Sequence, residues 1–174
     1  MSGAGANTSE DVVLRPVLAS DWDTIRTWLR LPEVQAWWGT AASTEAEVRM
    51  VLETPSAMPR MVIAGSEPIG YVHAIDALYW GSGLPDGMLA GTWDIDAFIA
   101  APGWRGRDAG RRAVELMAGE VFETTLAPAA SIFTSIANES TIRAYERAGF
   151  HWVRVHNDPI QGPCWMMIKE RPAR

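Results

Sequence analysis

Residues 101–113 read APGWRGRDAGRRA and follow directly on WDIDAFIA at 93–100. The earlier run alternates as a strand does. It sets Trp93, Ile95, Ala97 and Ile99 on one face, and Asp94, Asp96, Phe98 and Ala100 on the other. Beyond the loop at 102–108, Ala109, Ala113, Leu116, Met117 and Val121 recur at helical spacing and predict an amphipathic helix. The first backbone N–H groups of a helix lack intrahelical partners and lie at the positive end of its dipole, so they can hold phosphates. Arg105, Arg107, Arg111 and Arg112 add positive charge there. The plainer alternative is a loop running into a solvated helix face.

A second stretch, NESTIRAYERAGF at 138–150, reads as a helix capped by Asn138 and ended by Gly149. Asn138 and Tyr145 are seven residues apart, two turns, and so share a face. Alone, this is a capped amphipathic helix with a core tyrosine. VVLRPV (12–17) is a first strand, followed by a helix opened by Ser20 that carries Trp22, Ile25, Trp28 and Leu29. Pro32 ends or restarts that helix, and Ser43 opens a second short one with Val48, Val51 and Leu52. RMVIAG (60–65) and IGYVHAI (69–75) form a hairpin about the turn at 65–68. The glycine-rich stretch 78–92 is a long loop of the kind that often carries function. SIFTSI (131–136), FHWVRV (150–155) and CWMMIKE (164–170) complete the strands, the last two joined through Asn157-Asp158-Pro159. The order β-α-α-β-β-β-α-β-α-β-β describes a mixed α/β domain over 11–174, behind a small, polar, flexible tail at 1–10.

At 174 residues, 48% hydrophobic and 21% charged, the chain suits one folded domain and excludes wholesale disorder. No apolar run reaches the roughly 20 residues of a membrane-spanning helix. The opening MSGAGANTSED lacks a basic end and an apolar core, so a cytoplasmic location is expected. Cys164 is the single cysteine, and the three histidines form no HExxH, so no metal is expected. A net charge of −6 disfavours nucleic acid and favours a cationic small molecule.

Together, in this order and separation, the two stretches resemble the GNAT superfamily of acyl-CoA-dependent N-acyltransferases. Its loop pattern, Q/R-x-x-G-x-G/A, is met at Arg105 and Gly110. Its helix pattern, N-x-x-A/S/T-x-x-x-Y-x-K/R-x-G-F, is met at Asn138, Tyr145, Arg147, Gly149 and Phe150. One position departs: Asp108 stands where the loop has glycine. The carboxylate is expected to turn outward, cap the helix and pair with Arg111 or Arg112, at some cost to CoA binding. The resemblance implies the GNAT fold, a single domain with a central mixed, mostly antiparallel sheet flanked by helices.

Three segments are similar to the aminoglycoside 6′-N-acetyltransferases: VQAWWG (34–39), EPIGY (67–71), and IDAFIA (95–100) against that family's IDQSLA. The resemblance implies acetyl-CoA as co-substrate and direct transfer to the 6′-amino group of an antibiotic in a ternary complex. It places the catalytic aspartate at Asp96, as base, and the active-site tyrosine at Tyr145, as proton donor to the thiolate or hydrogen-bond partner of its sulfur. Phe98, Ile99 and Ala100 are expected to pair their backbone with the pantetheine arm. Arg105, Gly106, Arg107, Gly110, Arg111, Asn138 and Tyr145 complete the cofactor set. On the acceptor side stand Asp94, Asp96, Trp37, Trp38, Tyr79, Trp80 and Asp86, with one of the paired tryptophans buried and the other lining the cleft. His73 is read as a satisfied structural histidine, and His151 and His156 carry no site signal. Cys164, in an apolar strand with no histidine at a telling spacing, speaks against a covalent acyl-cysteine route. Other readings are a siderophore-type N-hydroxylysine acyltransferase, to whose hairpin region ALYWGSG (77–83) is faintly similar, a protein N-terminal acetyltransferase, and a non-catalytic CoA-binding regulatory module. Either a monomer or a homodimer fits.

Overall fold

The computed structural model describes residues 11–81, 83–159 and 161–173; the expected N-terminal tail lies outside them. Seven strands form one sheet in the order β1-β2-β3-β4-β5-β7-β6. They are β1 (Val12–Pro16), β2 (Met58–Ala64), β3 (Glu67–Asp76), β4 (Trp93–Ile99), β5 (Ala129–Ser135), β6 (His151–Asp158) and β7 (Gly162–Glu170). All neighbours are antiparallel except β4 and β5, which are joined by a helical crossover and run parallel. The architecture is therefore the mixed, mostly antiparallel one read from the sequence.

Three helices, not two, precede β2: α1 (Trp22–Leu29), α2 (Pro32–Trp38) and α3 (Ala41–Glu53). Pro32 restarts the chain because its fixed φ and missing N–H suit a first helical turn. Ser20 is not the cap of α1. A 3-10 turn over Ala19–Asp21 comes first, closed by the Asp21 carboxylate, which accepts from Leu18 N–H at 2.7 Å and pairs with Arg15. Thr40, three residues before Ser43, caps α3. Asn157 and Asp158 belong to β6, so the last turn is tighter than expected.

Helices α4 (Ala109–Thr124) and α5 (Glu139–Arg147) cover one sheet face. Ala113, Val114, Met117 and Val121 pack there on Val72, Ile95 and Ile132. Helices α1–α3 cover the other face, where Ile25, Leu29, Trp38 and Val48 meet Tyr71, Phe98 and Ala100. The alternation in 93–100 thus assigns the faces correctly. Ile95 points to α4, while Phe98 and Ala100 point to α1–α3. Full burial of each such large apolar side chain contributes about 1.5–3 kcal/mol. The stretch after β3 forms a 3-10 turn at Ala77–Trp80 and then irregular chain, which buries Met88 against Ala129 and Met166.

Candidate active site

Strands β4 and β5 pair only from Trp93 to Ile95 on β4 and from Ala130 to Ile132 on β5. Beyond that they separate. A cleft of about 1070 Å³ occupies the fork and is bounded by α2, α3, the start of α4 and α5. Backbone polarity there follows from register. Ala100 N–H donates to Ile69 of β3 at 2.8 Å and Ala77 N–H to Thr92 at 3.0 Å, which turns the even-numbered backbone groups of β4 toward β3. Ala97 and Ile99 therefore turn theirs into the fork. The expectation that Phe98 and Ala100 offer backbone groups to a ligand is corrected accordingly. Ile99 turns its N–H to the fork while its carbonyl accepts from Arg105 at 3.3 Å, and both Ala97 groups are engaged, the N–H by Asp96 at 2.9 Å and the carbonyl by Trp38 Nε1 at 3.3 Å.

Asp96 and Tyr145 both line the cleft. Asp96 is part-buried, and one carboxylate oxygen accepts from Ala97 N–H at 2.9 Å. Burial, with the charges of Glu47 and Asp94 behind it, holds its pKa well above the usual carboxylate range. Tyr145 is 7% exposed. Burial first, then the Asp96 charge, raises its pKa and keeps it a proton donor. Asn138 caps α5, its side-chain oxygen accepting from Thr141 N–H at 3.4 Å, and also lines the cleft.

Asp94 lines the cleft, yet both of its oxygens are engaged. Ser131 Oγ donates to one at 2.7 Å and Trp80 Nε1 to the other at 2.9 Å. Burial pushes it to about 7 against those two bonds. Its place is to anchor Trp80 in the wall. Both paired tryptophans line the cleft, Trp38 at 8% exposure and Trp37 at 46%. Tyr79 and Asp86 are not on the cleft. Tyr79 is solvent-exposed, and Asp86 pairs with Arg154 at 3.2 Å.

The arginines divide. Arg105 closes the end of β4, donating to Ala100 O at 2.6 Å and Ile99 O at 3.3 Å, and lies 3.4 Å from Glu33. Arg107 is exposed and off the cleft, whereas Arg105, Gly106, Gly110 and Arg111 line it. At Gly110 a Cβ would meet Ile99 Cγ1 at an ordinary contact distance of 3.7 Å, so packing alone does not demand glycine there.

Asp108 has φ 60°, the sole positive φ on a non-glycine residue among the described residues. It makes no side-chain capping bond. Its carboxylate pairs with Arg111 at 3.5 Å, one of the two expected partners, and with Arg147 at 2.6 Å, while the expected cap is corrected. The Arg147 hydrogen bond is the main reason its pKa lies below the usual value. Asp108 thus neutralises two arginines on the rim of the cleft, at the start of α4. Asp108→Gly is expected to tighten CoA binding several-fold, about 1 kcal/mol for a half-exposed ion pair, and to steepen its salt dependence. Calorimetric titration at two salt concentrations measures this; an unchanged dissociation constant would show the carboxylate to be neutral toward the ligand.

Residues that the sequence did not single out as site residues also reach the cleft, among them Glu47, Arg143, His156, Asp158 and Gln161. Glu47 comes from α3, one residue before the buried Val48, and is pushed to about 7 by burial, then by Asp94 and Asp158. His156, which carried no site signal, stands opposite Cys164 across β6 and β7, so a histidine lies beside the cysteine although none is near it in spacing, and both line the cleft. Burial, helped by Asp158 and Asp96, raises the Cys164 pKa and keeps it a thiol, a poor nucleophile. His73 is fully buried, but neither ring nitrogen has a hydrogen-bond partner, so it is structural without being satisfied. Burial holds it neutral at a pKa of about 3. Among the described residues no cluster of histidine, cysteine, aspartate and glutamate is arranged to hold a metal, and no helix is long and apolar enough to cross a membrane.

The chain belongs to the Acetyltransferase (GNAT) domain family, which it matches over residues 17–157. It is 29% identical over 175 residues to the aminoglycoside N(6′)-acetyltransferase type 1 of Klebsiella pneumoniae, covering 96% of this chain and 87% of the relative. The enzyme of the same name from Serratia marcescens matches to the same degree. Among solved structures, AAC(6′)-Ib in complex with paromomycin and acetyl-CoA superposes with a TM-score of 0.80 at 28% identity, over 92% of this chain and 94% of that one. AAC(6′)-Ib in complex with coenzyme A and kanamycin gives a TM-score of 0.79 at 27% identity, over 92% and 95%.

Proposed function

We propose that this acetyltransferase moves the acetyl group of acetyl-CoA to an amine of an aminoglycoside, the 6′-amino group, by direct attack in a ternary complex. The observation that carries the reading is the charge layout of one cleft. Glu47, Asp94, Asp96 and Asp158 converge from α3, β4 and β6, whereas Arg105, Arg111, Arg143 and Arg147 line it at the start of α4 and along α5. Carboxylates suit a polycationic sugar, and arginines with free helix-start amides suit phosphates. The relatives named above support the same acceptor and co-substrate.

Acetyl-CoA supplies an acyl group already activated as a thioester. The chain supplies the rest. The Ile99 N–H, turned into the fork with no strand beside it, can meet an extended arm, and the start of α4 can meet a pyrophosphate. Asp96 binds the acceptor ammonium and takes its proton as nitrogen becomes nucleophilic. Tyr145, kept protonated by burial, returns a proton to the departing sulfur. The exposed Trp37 offers an aromatic face to a sugar or an ammonium. A cytoplasmic location agrees with the use of acetyl-CoA.

Thiol release from acetyl-CoA tests this on kanamycin, tobramycin and amikacin, beside N-hydroxylysine, spermidine and an N-terminal peptide. Turnover on the aminoglycosides is expected. Turnover confined to another amine would discard the acceptor and keep the acetyl transfer. Saturable CoA binding with no turnover on any amine would favour a regulatory module.

A further inference from the structure

Ala97 is the first residue of β4 with its backbone turned into the fork and no strand beside it. Its N–H goes to Asp96 at 2.9 Å, and its carbonyl accepts from Trp38 Nε1 of α2 at 3.3 Å. Trp38 is itself held fast. Its ring packs edge-on against Phe98, Tyr71 and His73 at centroid distances of 5.0, 6.3 and 6.1 Å. Its carbonyl accepts from Gln161 Nε2, out of the β6–β7 turn, at 3.3 Å. The indole therefore lines the cleft by an edge while its single donor points inward to the strand.

We propose that Trp38 is a positioning residue for the transfer reaction: its indole N–H fixes Ala97 at the fork of β4 and β5, and Ala97 in turn aims the Asp96 carboxylate at the acceptor amine. The kinetic part of this rests on the acetyl-transfer reading above; the coupling of Trp38 to Asp96 does not.

The physical reason lies in the missing strand. A carbonyl at a half-buried strand edge is costly if left unpaired. Without Trp38 the Ala97 unit would rotate to find another donor, and the N–H that holds Asp96 sits on the same residue. Both N–H groups favour the ionised carboxylate, against burial and against Glu47 of α3 and Asp94 of β4. Other titratable groups around Asp96 are His73, its partner across β3, Tyr71 of β3, Tyr145 of α5 and Cys164 of β7, while Asp158 of β6 acts on Glu47.

Trp38→Phe removes the donor and keeps an aromatic ring; Trp38→His keeps a ring donor in a smaller ring. In Trp38→Phe, kcat is expected to fall about 10-fold with the acceptor KM and CoA affinity nearly unchanged, a general-base loss rather than a binding loss. The Asp96 midpoint, followed by carboxyl NMR and assigned with Asp96→Asn, should rise by roughly one pH unit. Trp38→His should recover most of both. If the two variants behave alike, or if the midpoint stays put, Trp38 is packing only and the proposal is wrong. Should neither variant fold, the wild-type protein decides. The Trp38 indole N–H resonance, identified by its proximity to the Phe98 ring, should shift as Asp96 titrates and lose that response in Asp96→Asn. An indole signal indifferent to that titration overturns the proposal. Failure of the aminoglycoside reading looks different: the wild-type enzyme is inert on those sugars while the indole still reports Asp96.

Discussion

Asp96→Asn is expected to lower acetyl transfer by about 10²–10⁴-fold, the usual worth of a positioned general base, while CoA still binds. Asparagine keeps the size and the acceptor oxygen that meets Ala97 N–H at 2.9 Å, so the fork need not rearrange. What is lost is the site for the ammonium proton. The pH profile carries the sign. Burial, then Glu47 and Asp94, hold the Asp96 carboxyl above the ordinary carboxylate range. Its base form appears only as pH rises through that raised midpoint, so kcat/KM should climb with pH there. In Asp96→Asn this limb should vanish, leaving the ionisations of other groups. A variant with near wild-type turnover, or with the same limb, would move the base elsewhere, and Glu47 is then the carboxylate to replace next.

Gly70→Ala should cost about 3 kcal/mol or more, because the new methyl has nowhere to go. Gly70 lies opposite Ile99 in the β3–β4 pair. A Cβ there would stand 2.3 Å from Phe98 O and 3.1 Å from Ile99 Cα. Both are backbone atoms of β4, so no rotamer change relieves the contact and the strands must part. For a domain of this size that corresponds to a fall of roughly 6–12 °C in Tm. The displaced strand is the one that presents Ile99 to the fork, so CoA affinity should drop with stability. Thermal and urea unfolding beside CoA titration measure both, and an unchanged Tm would mean the two strands give way more easily than their packing implies.

Sequence by itself determined the parts of this protein that repeat locally. The stripe from Ala109 to Val121, the Asn138 cap, the Gly149 stop at φ 91° and the two-residue alternation around Asp96 each depend on neighbours within a few residues. The resemblance carried by the residues from Asn138 to Phe150 added the fold, and it placed Asp96 and Tyr145 in what proved to be one cleft. Segment ends were less legible, since Thr40 and Ser43 are equally good caps until packing chooses one. Tertiary structure alone decided the rest. Which backbone groups of β4 face the fork is a matter of parity, set by pairing with β3, and a shift of one residue would exchange Ala97 and Ile99 for Phe98 and Ala100. Asp94 and Asp96 look alike in sequence. Only the approach of Ser131 and Trp80 occupies both oxygens of the first, while one oxygen of the second accepts from Ala97 N–H. Glu47 reaches the same cleft from α3, forty-nine residues before Asp96, and Arg105 turns to the end of β4 instead of the rim. Such partners are distant along the chain, and hydrogen bonds and charge act through space, so folding had to bring them together before their roles could be read.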